Sequence, residues 1–355
     1  MSIRKRKTKN GYTWQIDCSN ATGERIRQSG FKTKADAERE LAKIRLQVES
    51  GNNVNKNKKI YFVDMCDKFI KEHTEVYSKP ATLHGYLSYI NHNVKPFFNK
   101  IKLSEITPAL INKFIRQMKN DDYAPKSINN VLTMIKSIMN FAVDNGYLVK
   151  NPIEKVKKLK LPQKEMKFLN TDEIETVLKT AQEFYPKFYP LLLTAIMTGM
   201  RQGELLALQW KDIDFENKKI TVNKSLYRGT IQTPKTKQSN RKINIPDILI
   251  KTLIQLKKED DEEILFPNAN GNYKDGKNMV EREFKPCLEK AGVKNIRFHD
   301  LRHTFPIFLI AQNMLLKYIQ AQMGHTSIQT TSDRYGHLMP ELEQVGRNAF
   351  DSIKI

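Results

Sequence analysis

HDLRHTFPIFLIAQNMLLKYIQAQMGHTSIQTTSDRY, residues 299–335, carries the clearest fold signal in this chain. Its apolar residues recur at helical spacing. The predicted helices span about 301–312, 315–322 and 327–335. Gly324 fits the position after the C-terminus of the second helix, which leaves His325 at a tight corner. His299 and Arg302 lie three residues apart, so both face one side of a helical turn. This part of the chain is therefore predicted to form short helices joined by tight corners.

The sequence between residues 161 and 298 mixes helices with strands. Thr171, followed by two acidic residues, predicts the start of a helix that runs to about Gln182. A buried helix is predicted from Leu191 to Met197. Further predicted elements are strands at 220–222 and 242–245 and helices at about 247–258 and 278–291. A polar connection rich in Lys, Thr and Gly joins the two strands.

Residues 60–160 are predicted to be all-helical. Four apolar stripes recur at helical spacing and indicate a small bundle. The stripes begin at Tyr61, Thr82, Leu110 and Ile128. Asn145 and Gly146 end the fourth helix. The basic stretch 155–160 is predicted to be a linker to the next segment.

The first segment is predicted to be a small β-then-α unit. Tyr12 to Cys18 alternates apolar and polar residues, which is typical of a strand, and residues 24–31 are predicted to form the return strand. Thr33 is a suitable N-cap for a helix that runs to about Glu49. Residues 51–59 are polar, basic and non-periodic, so they are predicted to be a linker.

The charge of the chain points to a polyanionic partner. The 355 residues include 60 Lys and Arg against 39 Asp and Glu, which gives a net charge of +21. Residues 1–59 alone carry 15 basic and 6 acidic residues. Because all three segments are net positive, contact with nucleic-acid phosphates is favoured over an acidic lipid surface.

Other classes of protein are disfavoured by composition. No apolar run approaches the roughly 18 residues of a membrane span, and the N-terminus lacks the apolar core of a secretory signal. Three scattered cysteines, Cys18, Cys66 and Cys287, exclude a disulfide framework and a Cys-rich zinc site. A reducing cytosol is therefore expected.

Several residues of the last segment suit chemistry at a phosphate. Taken singly, each has a more ordinary explanation as a solvated cation, a packed aromatic or a structural histidine. They are Arg201 in a Gly-flanked turn, Lys235 in the polar connection, His299, Arg302, His325 and Tyr335. His303 is adjacent to Arg302 and need not share its face, so it is interpreted as structural.

Taken together, these residues predict transesterification at a phosphodiester. They do not suit a metal, since there is no carboxylate pair and the cations would repel it. Paired arginines bind phosphate oxygens and stabilise the extra charge of a pentacoordinate phosphorus. A tyrosine hydroxyl, with an ordinary pKa of about 10, is a competent nucleophile beside a base or in a cationic pocket. A histidine can act as that base, and a lysine can protonate a departing sugar oxygen.

The four motifs resemble those of the tyrosine recombinases, in particular the phage and transposon integrases. TGMRQGELLALQW is similar to the first-arginine box of that family, TPKTKQSNRKINIP to its β-hairpin lysine box, and HDLRHT with GHTSIQTTSDRY to its second box. Any one box is weak, but all four motifs in order are specific, and the resemblance covers essentially the whole chain.

The resemblance implies a role for each site residue. Arg201 and Arg302 would clamp the scissile phosphate, and Tyr335 would attack it to give a 3′-phosphotyrosyl bond and a free 5′-hydroxyl. Lys235 would be the general acid for the 5′ oxygen. His299 would assist proton transfer, and His325 would donate to a phosphate oxygen. Glu204 would be a supporting carboxylate that positions the site residues. The resemblance implies no metal and no nucleotide cofactor, because the phosphotyrosyl bond retains the energy for rejoining.

The resemblance also implies a multidomain α+β fold. An arm-type DNA-binding domain with a small sheet and a helix is expected at 1–55, an all-helical SAM-like core-binding domain at 60–155, and a mainly helical catalytic domain with a small sheet at 165–355. The expected partners are double-stranded DNA at core and arm attachment sites and three further copies in a synaptic tetramer. An excisionase or a host DNA-bending protein is a further expected partner, and the bacterial cytoplasm, on the nucleoid, the expected location.

Two features leave alternatives open. Pro306 lacks an amide donor, so it is tolerable if Arg302 lies at the N-cap or in the first turn of its helix and kinks the helix otherwise. The apolar residues of the tail after Tyr335 suit packing on their own domain or on a neighbouring protomer. Two alternatives to an integrase are a type IB topoisomerase-like relaxing enzyme and a non-catalytic DNA-binding protein of the same fold.

Overall fold

The computed structural model of the chain describes residues 2–8, 11–19, 25–49, 60–162, 166–232, 240–257 and 263–336. It divides into two compact units, 1–163 and 164–355. Helices dominate, and three small antiparallel sheets complete the described part. No helix among the described residues has the length and apolarity that crossing a bilayer requires. The predicted linker 51–59, residues 233–239 with Lys235, and the residues after 336 lie outside the described residues.

The N-terminal part of the first unit is a three-stranded sheet with one helix. Its elements are β1 (Ser2–Thr8), β2 (Gly11–Ser19), β3 (Arg25–Phe31) and α1 (Lys34–Glu49). Ile16 and Cys18 are buried against Leu41 of α1, as the alternation in β2 predicted. The Thr33 hydroxyl accepts a hydrogen bond from the backbone N–H of Asp36 at 3.1 Å, which confirms the predicted N-cap.

The rest of the first unit is all-helical, as predicted. Its elements are α2 (Phe62–Phe69), α3 (Glu75–Tyr77), α4 (Pro80–Tyr89), α5 (Lys95–Phe98), α6 (Pro108–Asn120) and α7 (Pro125–Asp144). Two π-helical turns, Ile70–Thr74 and Ile90–Val94, join α2 to α3 and α4 to α5, so the six segments form four continuous helices. Their apolar faces enclose a core of Phe, Ile and Met side chains. The predicted four stripes are therefore the four inner faces of this bundle.

The second unit surrounds a small sheet with helices. Its first elements are α8 (Thr171–Phe184), α9 (Tyr189–Thr198), α10 (Gln202–Leu206), β4 (Ile213–Asp214), β5 (Lys219–Val222), β6 (Ser225–Tyr227), β7 (Thr230–Gln232) and β8 (Arg241–Asn244). The later ones are α11 (Asp247–Leu256), α12 (Gly276–Met279), α13 (Lys285–Lys290), α14 (Leu301–Ala311), α15 (Leu316–Met323) and α16 (Ile328–Tyr335). Strands β4, β5 and β8 form one antiparallel sheet in that order, with β5 in the middle. Strands β6 and β7 form a separate antiparallel hairpin.

Two details differ from or refine the sequence predictions. The polar connection between β5 and β8 contains the β6–β7 hairpin, which its polar composition did not predict. Helix α14 has Asp300 at its N-cap, so Arg302 lies in the first turn, and the helix continues through Pro306 to Ala311. Because Pro306 has no N–H, the i to i−4 hydrogen bond to the Arg302 carbonyl cannot form. The Arg302 side chain is nevertheless fixed by contacts outside the helix.

Candidate active site

Arg302 lies at the centre of the candidate site and is almost fully buried. Its Nη1 donates to the carbonyl of Gly199 and its Nη2 to the carbonyl of Met323, both at 2.5 Å. The guanidinium therefore ties the end of α9 to the end of α15. Burial, with the neighbouring charges of Arg201 and Arg241, lowers the pKa of Arg302 to about 9. An anion bound here would relieve that crowding of positive charge.

Arg201 and Arg241 share one buried carboxylate. The Arg201 Nη1 donates to Glu204 Oε1 at 2.7 Å, and the Arg241 Nη2 donates to Glu204 Oε2 at 2.8 Å. Glu204 also accepts the backbone N–H of Arg201 at 3.0 Å, which caps α10. Burial alone would raise the pKa of Glu204, but the hydrogen bond and charge of Arg241 outweigh it and lower the pKa to about 2. The carboxylate therefore stays ionised and holds Arg201 in one orientation.

The end of α15 is held by two guanidinium groups. Arg241 donates from Nε to the carbonyl of Gln322 at 2.8 Å, one residue before the carbonyl that Arg302 holds. Cations at the carbonyl end of a helix are favoured by its dipole. Gly324 follows in the left-handed conformation, with φ of 63°, and a Cβ there would lie 2.8 Å from Arg241 Cδ. A glycine is required at this corner for both reasons.

His325 lies at that corner, as the sequence predicted. It is buried, and its Nδ1 lies 2.9 Å from the Thr331 hydroxyl of α16. Burial, followed by the nearby charge of Arg302, lowers its pKa to about 4. His299 has a lowered pKa for the same two reasons, burial first and Arg302 second. Both imidazoles are therefore neutral at pH 7, when each has one N–H to donate.

Tyr335 ends α16 and is fully buried beneath Phe305, Ile310 and Met323. Its hydroxyl lies 2.8 Å from Nδ1 of His303. Burial raises the pKa of the phenol, and the charges of Arg302 and Arg334 oppose part of that rise. The charge of Arg302, the predicted phosphate clamp, therefore acts on the phenol of the predicted nucleophile.

The described site residues interact electrostatically as one group. The charge of Arg302 acts on His299, His325 and Tyr335, and the charge of Arg201 acts on Arg302 and on both of these histidines. Arg201, Glu204, His299, Arg302, His325 and Tyr335 are therefore gathered in one place. Lys235 lies outside the described residues. Helix α10 packs closely on β6, the strand that begins the hairpin before Lys235. A Cβ on Gly203 would lie 2.5 Å from Ser225 Oγ, so only glycine allows this approach.

Two residues of the site were missed in the sequence. Arg241 lies in the predicted lysine box, but nothing in its spacing distinguishes it from the neighbouring cations. His303 was interpreted as structural because it is adjacent to Arg302; it touches the hydroxyl of Tyr335 instead. On a helix, residues 299 and 303 are one turn apart and share a face, and this i, i+4 relation was the available signal.

The residues of this site suit an anion and not a metal. Over the parts of the chain that the structure describes, no three His, Cys, Asp or Glu side chains are grouped to hold a metal ion. Glu204, the carboxylate at the centre, is already engaged by two arginines. The remaining side chains are cations, neutral imidazoles and a phenol, which match the oxygens of a phosphodiester.

Comparison with known proteins agrees with this arrangement. Three family models match the chain in order: the arm DNA-binding domain at residues 2–48, the N-terminal SAM-like domain of phage integrases at 61–119, and the phage integrase family at 167–341. The ICEBs1 integrase of Bacillus subtilis (strain 168) is 31% identical, in an alignment that covers 99% of this chain and 100% of that protein.

Solved structures share the fold. The Tn1549 transposon integrase in complex with a circular intermediate DNA superposes with a TM-score of 0.69 at 23% identity, covering 79% of this chain and 95% of that one. A lambda integrase tetramer bound to a Holliday junction gives a TM-score of 0.60 at 20% identity, covering 91% and 95%. The architecture of arm-binding, SAM-like and catalytic domains predicted from the sequence is confirmed.

The chain belongs to the phage integrase family of tyrosine recombinases. It is an integrase of the kind that mobile elements carry, and its activity is DNA recombination. The family membership and the main function predicted from the sequence are therefore confirmed.

Proposed function

We propose that this integrase cuts and rejoins DNA by transesterification, in the manner of a type IB topoisomerase, with Tyr335 as nucleophile. The observation that carries the proposal is the grouping of Arg201, Arg302, two neutral histidines and the Tyr335 phenol, which interact electrostatically with one another. The Tyr335 oxygen attacks phosphorus, its proton leaves to a base, and the 5′ oxygen departs with a new proton. The products are a 3′-phosphotyrosyl bond and a free 5′-hydroxyl.

The surrounding residues divide the work of this step. Arg201 and Arg302 neutralise the charge that develops on the non-bridging oxygens. This stabilisation is effective when the donors are held in position before the reaction begins. Glu204 provides that rigidity for Arg201. His325, fixed by Thr331, donates to a phosphate oxygen, and His299 assists proton transfer near Arg302. Lys235 protonates the leaving 5′ oxygen.

The step replaces the phosphodiester bond of DNA by a phosphotyrosyl diester bond of similar energy, so no metal or nucleotide cofactor is required. Rejoining reverses the first step: a 5′-hydroxyl from a second duplex attacks the phosphotyrosyl bond. The proposal therefore includes strand exchange between two DNA molecules at specific attachment sites. A synaptic tetramer supplies four such sites, and the tetrameric form of lambda integrase on a Holliday junction supports that number.

We assign 1–55 to arm-site binding, 60–155 to core-site binding and 165–355 to catalysis. The family matches at 2–48, 61–119 and 167–341 and the division after residue 163 support these bounds. Two DNA-binding modules on one chain give bivalent attachment, which raises the effective affinity. The site of action is the nucleoid in the cytoplasm of a bacterial host, and an excisionase or a host DNA-bending protein would set the direction of recombination.

A nicked suicide substrate tests the chemistry. The duplex carries the junction sequence between the element and the host chromosome, with a nick that lets the 5′-hydroxyl fragment diffuse away. The expected product is a covalent protein–DNA adduct that disappears in Tyr335→Phe, while DNA binding remains. The absence of an adduct with the unaltered protein on its own junction would favour a non-catalytic DNA-binding protein.

A second assay separates the integrase from a relaxing enzyme. Two duplexes of different length that both carry the junction are mixed with the protein. An integrase joins the left part of one to the right part of the other. Relaxation of supercoiled plasmid without any such joined product would favour the topoisomerase alternative.

A further inference from the structure

The hydroxyl of Tyr335 meets a histidine that the proposed mechanism does not use. Nδ1 of His303 lies 2.8 Å from Tyr335 Oη, within hydrogen-bonding distance; Tyr335 is fully buried and His303 is partly buried. The ring of His303 lies between two others: its centroid is 5.8 Å from that of His299, edge to face, and 6.0 Å from that of Tyr335. His303 is therefore the imidazole placed to receive a proton from Tyr335.

We infer that His303 is the general base that takes the proton of Tyr335 during cleavage. The inference rests on the proposed role of Tyr335 as nucleophile. It assigns to His303 the proton transfer at the nucleophile, and it leaves His299, beside Arg302, to the phosphate and the leaving-group side of the reaction.

The charge state of His303 is suitable for a proton acceptor. Burial, followed by the nearby His299, lowers its pKa to about 4, so the ring is neutral at pH 7. With its single proton on Nε2, Nδ1 presents a lone pair to the phenol. A protonated ring could only donate, and it would hold the Tyr335 oxygen in an unreactive hydrogen bond.

The buried phenol needs a base to lose its proton. Burial raises the pKa of Tyr335, and the charges of Arg302 and Arg334 offset only part of that rise. An incoming phosphodiester places a negative charge beside the histidines, which offsets the cations that oppose protonation of His303. The bound substrate thereby makes His303 a stronger base at the moment that it is needed.

In the proposed step, each bond that breaks is replaced by one that forms. The O–H bond of Tyr335 breaks, and its proton forms an N–H bond at Nδ1 of His303. The oxygen lone pair forms the bond to phosphorus, and the bond from phosphorus to the 5′ oxygen breaks. The 5′ oxygen takes its proton from the general acid, Lys235. The imidazolium of His303 returns its proton to Tyr335 when the phosphotyrosyl bond is resolved.

The first test compares His303→Gln with His303→Leu. Glutamine retains an oxygen that can accept a hydrogen bond from Tyr335 but cannot take its proton, whereas leucine retains neither. Single-turnover cleavage of the suicide substrate is measured at saturating protein, with DNA affinity and melting temperature as controls. Loss of a general base costs about 10²–10⁴ in rate, so both variants are expected to fall by that factor. A cleavage rate of His303→Gln within about threefold of that of the unaltered protein would overturn the inference, since His303 would then only position Tyr335.

The second test locates the proton transfer at the nucleophile. A suicide substrate with sulfur in place of the 5′ bridging oxygen needs no general acid, because a thiolate leaves without a proton. Lys235→Ala is expected to recover cleavage on this substrate, while His303→Gln remains slow. Recovery of His303→Gln on the sulfur substrate would place His303 at the leaving group and overturn the inference.

The third test changes the acidity of the phenol. A fluorotyrosine at position 335 loses its proton more readily, so it compensates for a missing base. It is expected to accelerate cleavage in His303→Gln and His303→Ala but not in the matched control His299→Gln. Equal effects in the His303 and His299 variants would count against a special role of His303. If the unaltered protein forms no adduct at all, the proposed function itself fails, and that outcome is distinct from the others.

Discussion

The cations of β1 and β3 differ from Arg302 of the candidate active site in their exposure and in how firmly they are held. Arg4 and Arg6 on β1 are exposed, and the side chain of Arg25 on β3 is 61% exposed although it pairs with Asp17. Arg302, by contrast, is 4% exposed and is fixed by two backbone carbonyls. The β1 and β3 cations are solvated, whereas Arg302 is desolvated and held in place.

This difference assigns DNA affinity to the exposed cations and the rate of cleavage to the buried ones. Exposed cations release counterions when they meet phosphates, so they contribute binding energy that falls with salt. Buried, fixed cations contribute little extra affinity but stabilise charge that develops during a reaction, because they need no reorganisation. A chain that must both hold DNA and cleave it therefore uses the same residue type in two environments.

The largest effect is expected for Arg241→Met. This change removes one of the two guanidinium partners of the buried Glu204 carboxylate and one of the two cations at the end of α15. Breaking a buried ion pair costs about 3–5 kcal/mol of folding stability, and we expect the lower end because Arg201 still pairs with Glu204. Urea unfolding of the full chain measures it. The double variant Glu204→Gln with Arg241→Met should regain part of the loss; no recovery would contradict the assigned pairing.

Arg302→Ala should chiefly affect the rate of cleavage. Removal of a fixed oxyanion donor costs about 10²–10³ in rate. Cleavage of the suicide substrate is compared with the affinity for intact duplex, which should change little. If affinity falls as much as rate, the buried cations act in binding and the distinction from the β1–β3 cations is lost.

Acidification should weaken the second unit before the first. The pKa values of His303 and His325 fall to about 4 in the folded protein, below the ordinary value of 6.5. The unfolded chain therefore binds these protons first, and stability is lost as the pH falls from about 6.5 towards 4. The ion pairs of Glu204 are lost only at lower pH, through 4.5 towards about 2. Melting curves between pH 8 and 4 should drop less in the double variant His303→Gln with His325→Gln; an equal drop would refute the assignment.

The double variant Arg4→Ala with Arg6→Ala should change affinity and leave the chemistry intact. If both residues contact phosphates, the slope of log affinity against log salt becomes shallower by roughly 1.8, since each contact contributes about 0.9. Binding to an arm-site duplex is measured across a salt series, and cleavage is measured at saturation. An unchanged slope would show that β1 does not bind the DNA backbone.

Asp17→Asn should have the smallest effect. Asp17 accepts hydrogen bonds from Arg25 and Arg27 across the sheet, and the shortest joins Arg25 Nη2 to Asp17 Oδ2 at 2.7 Å. An ion pair with exposed partners is worth only about 0–1 kcal/mol, so stability should scarcely change. Arm-site affinity is expected to rise slightly, because two arginines are released for phosphates. A loss of stability comparable to that of Arg241→Met would remove the contrast between the two environments.

Most of the elements could be predicted from local patterns. Helical spacing located the four helices of the bundle and the three helices after residue 299, and alternation located β2, because these periods report which residues share a face. Turn chemistry located the Gly324 corner and the Thr33 cap. The β6–β7 hairpin was missed because each of its strands has only three residues and is partly exposed, so alternation carries little signal there.

The sequence by itself determined the order of the motifs, the distribution of charge and the residue types needed at a phosphodiester. It could not determine which histidine touches Tyr335, or that Arg241 and Arg201 share Glu204. His303 and Tyr335 are 32 positions apart, and Arg241 and Glu204 are 37 apart. Contacts over such separations depend on how α14 packs against α16 and how β8 approaches α10. Local periodicity assigns a residue to a face, whereas only the packing of whole elements brings two faces together.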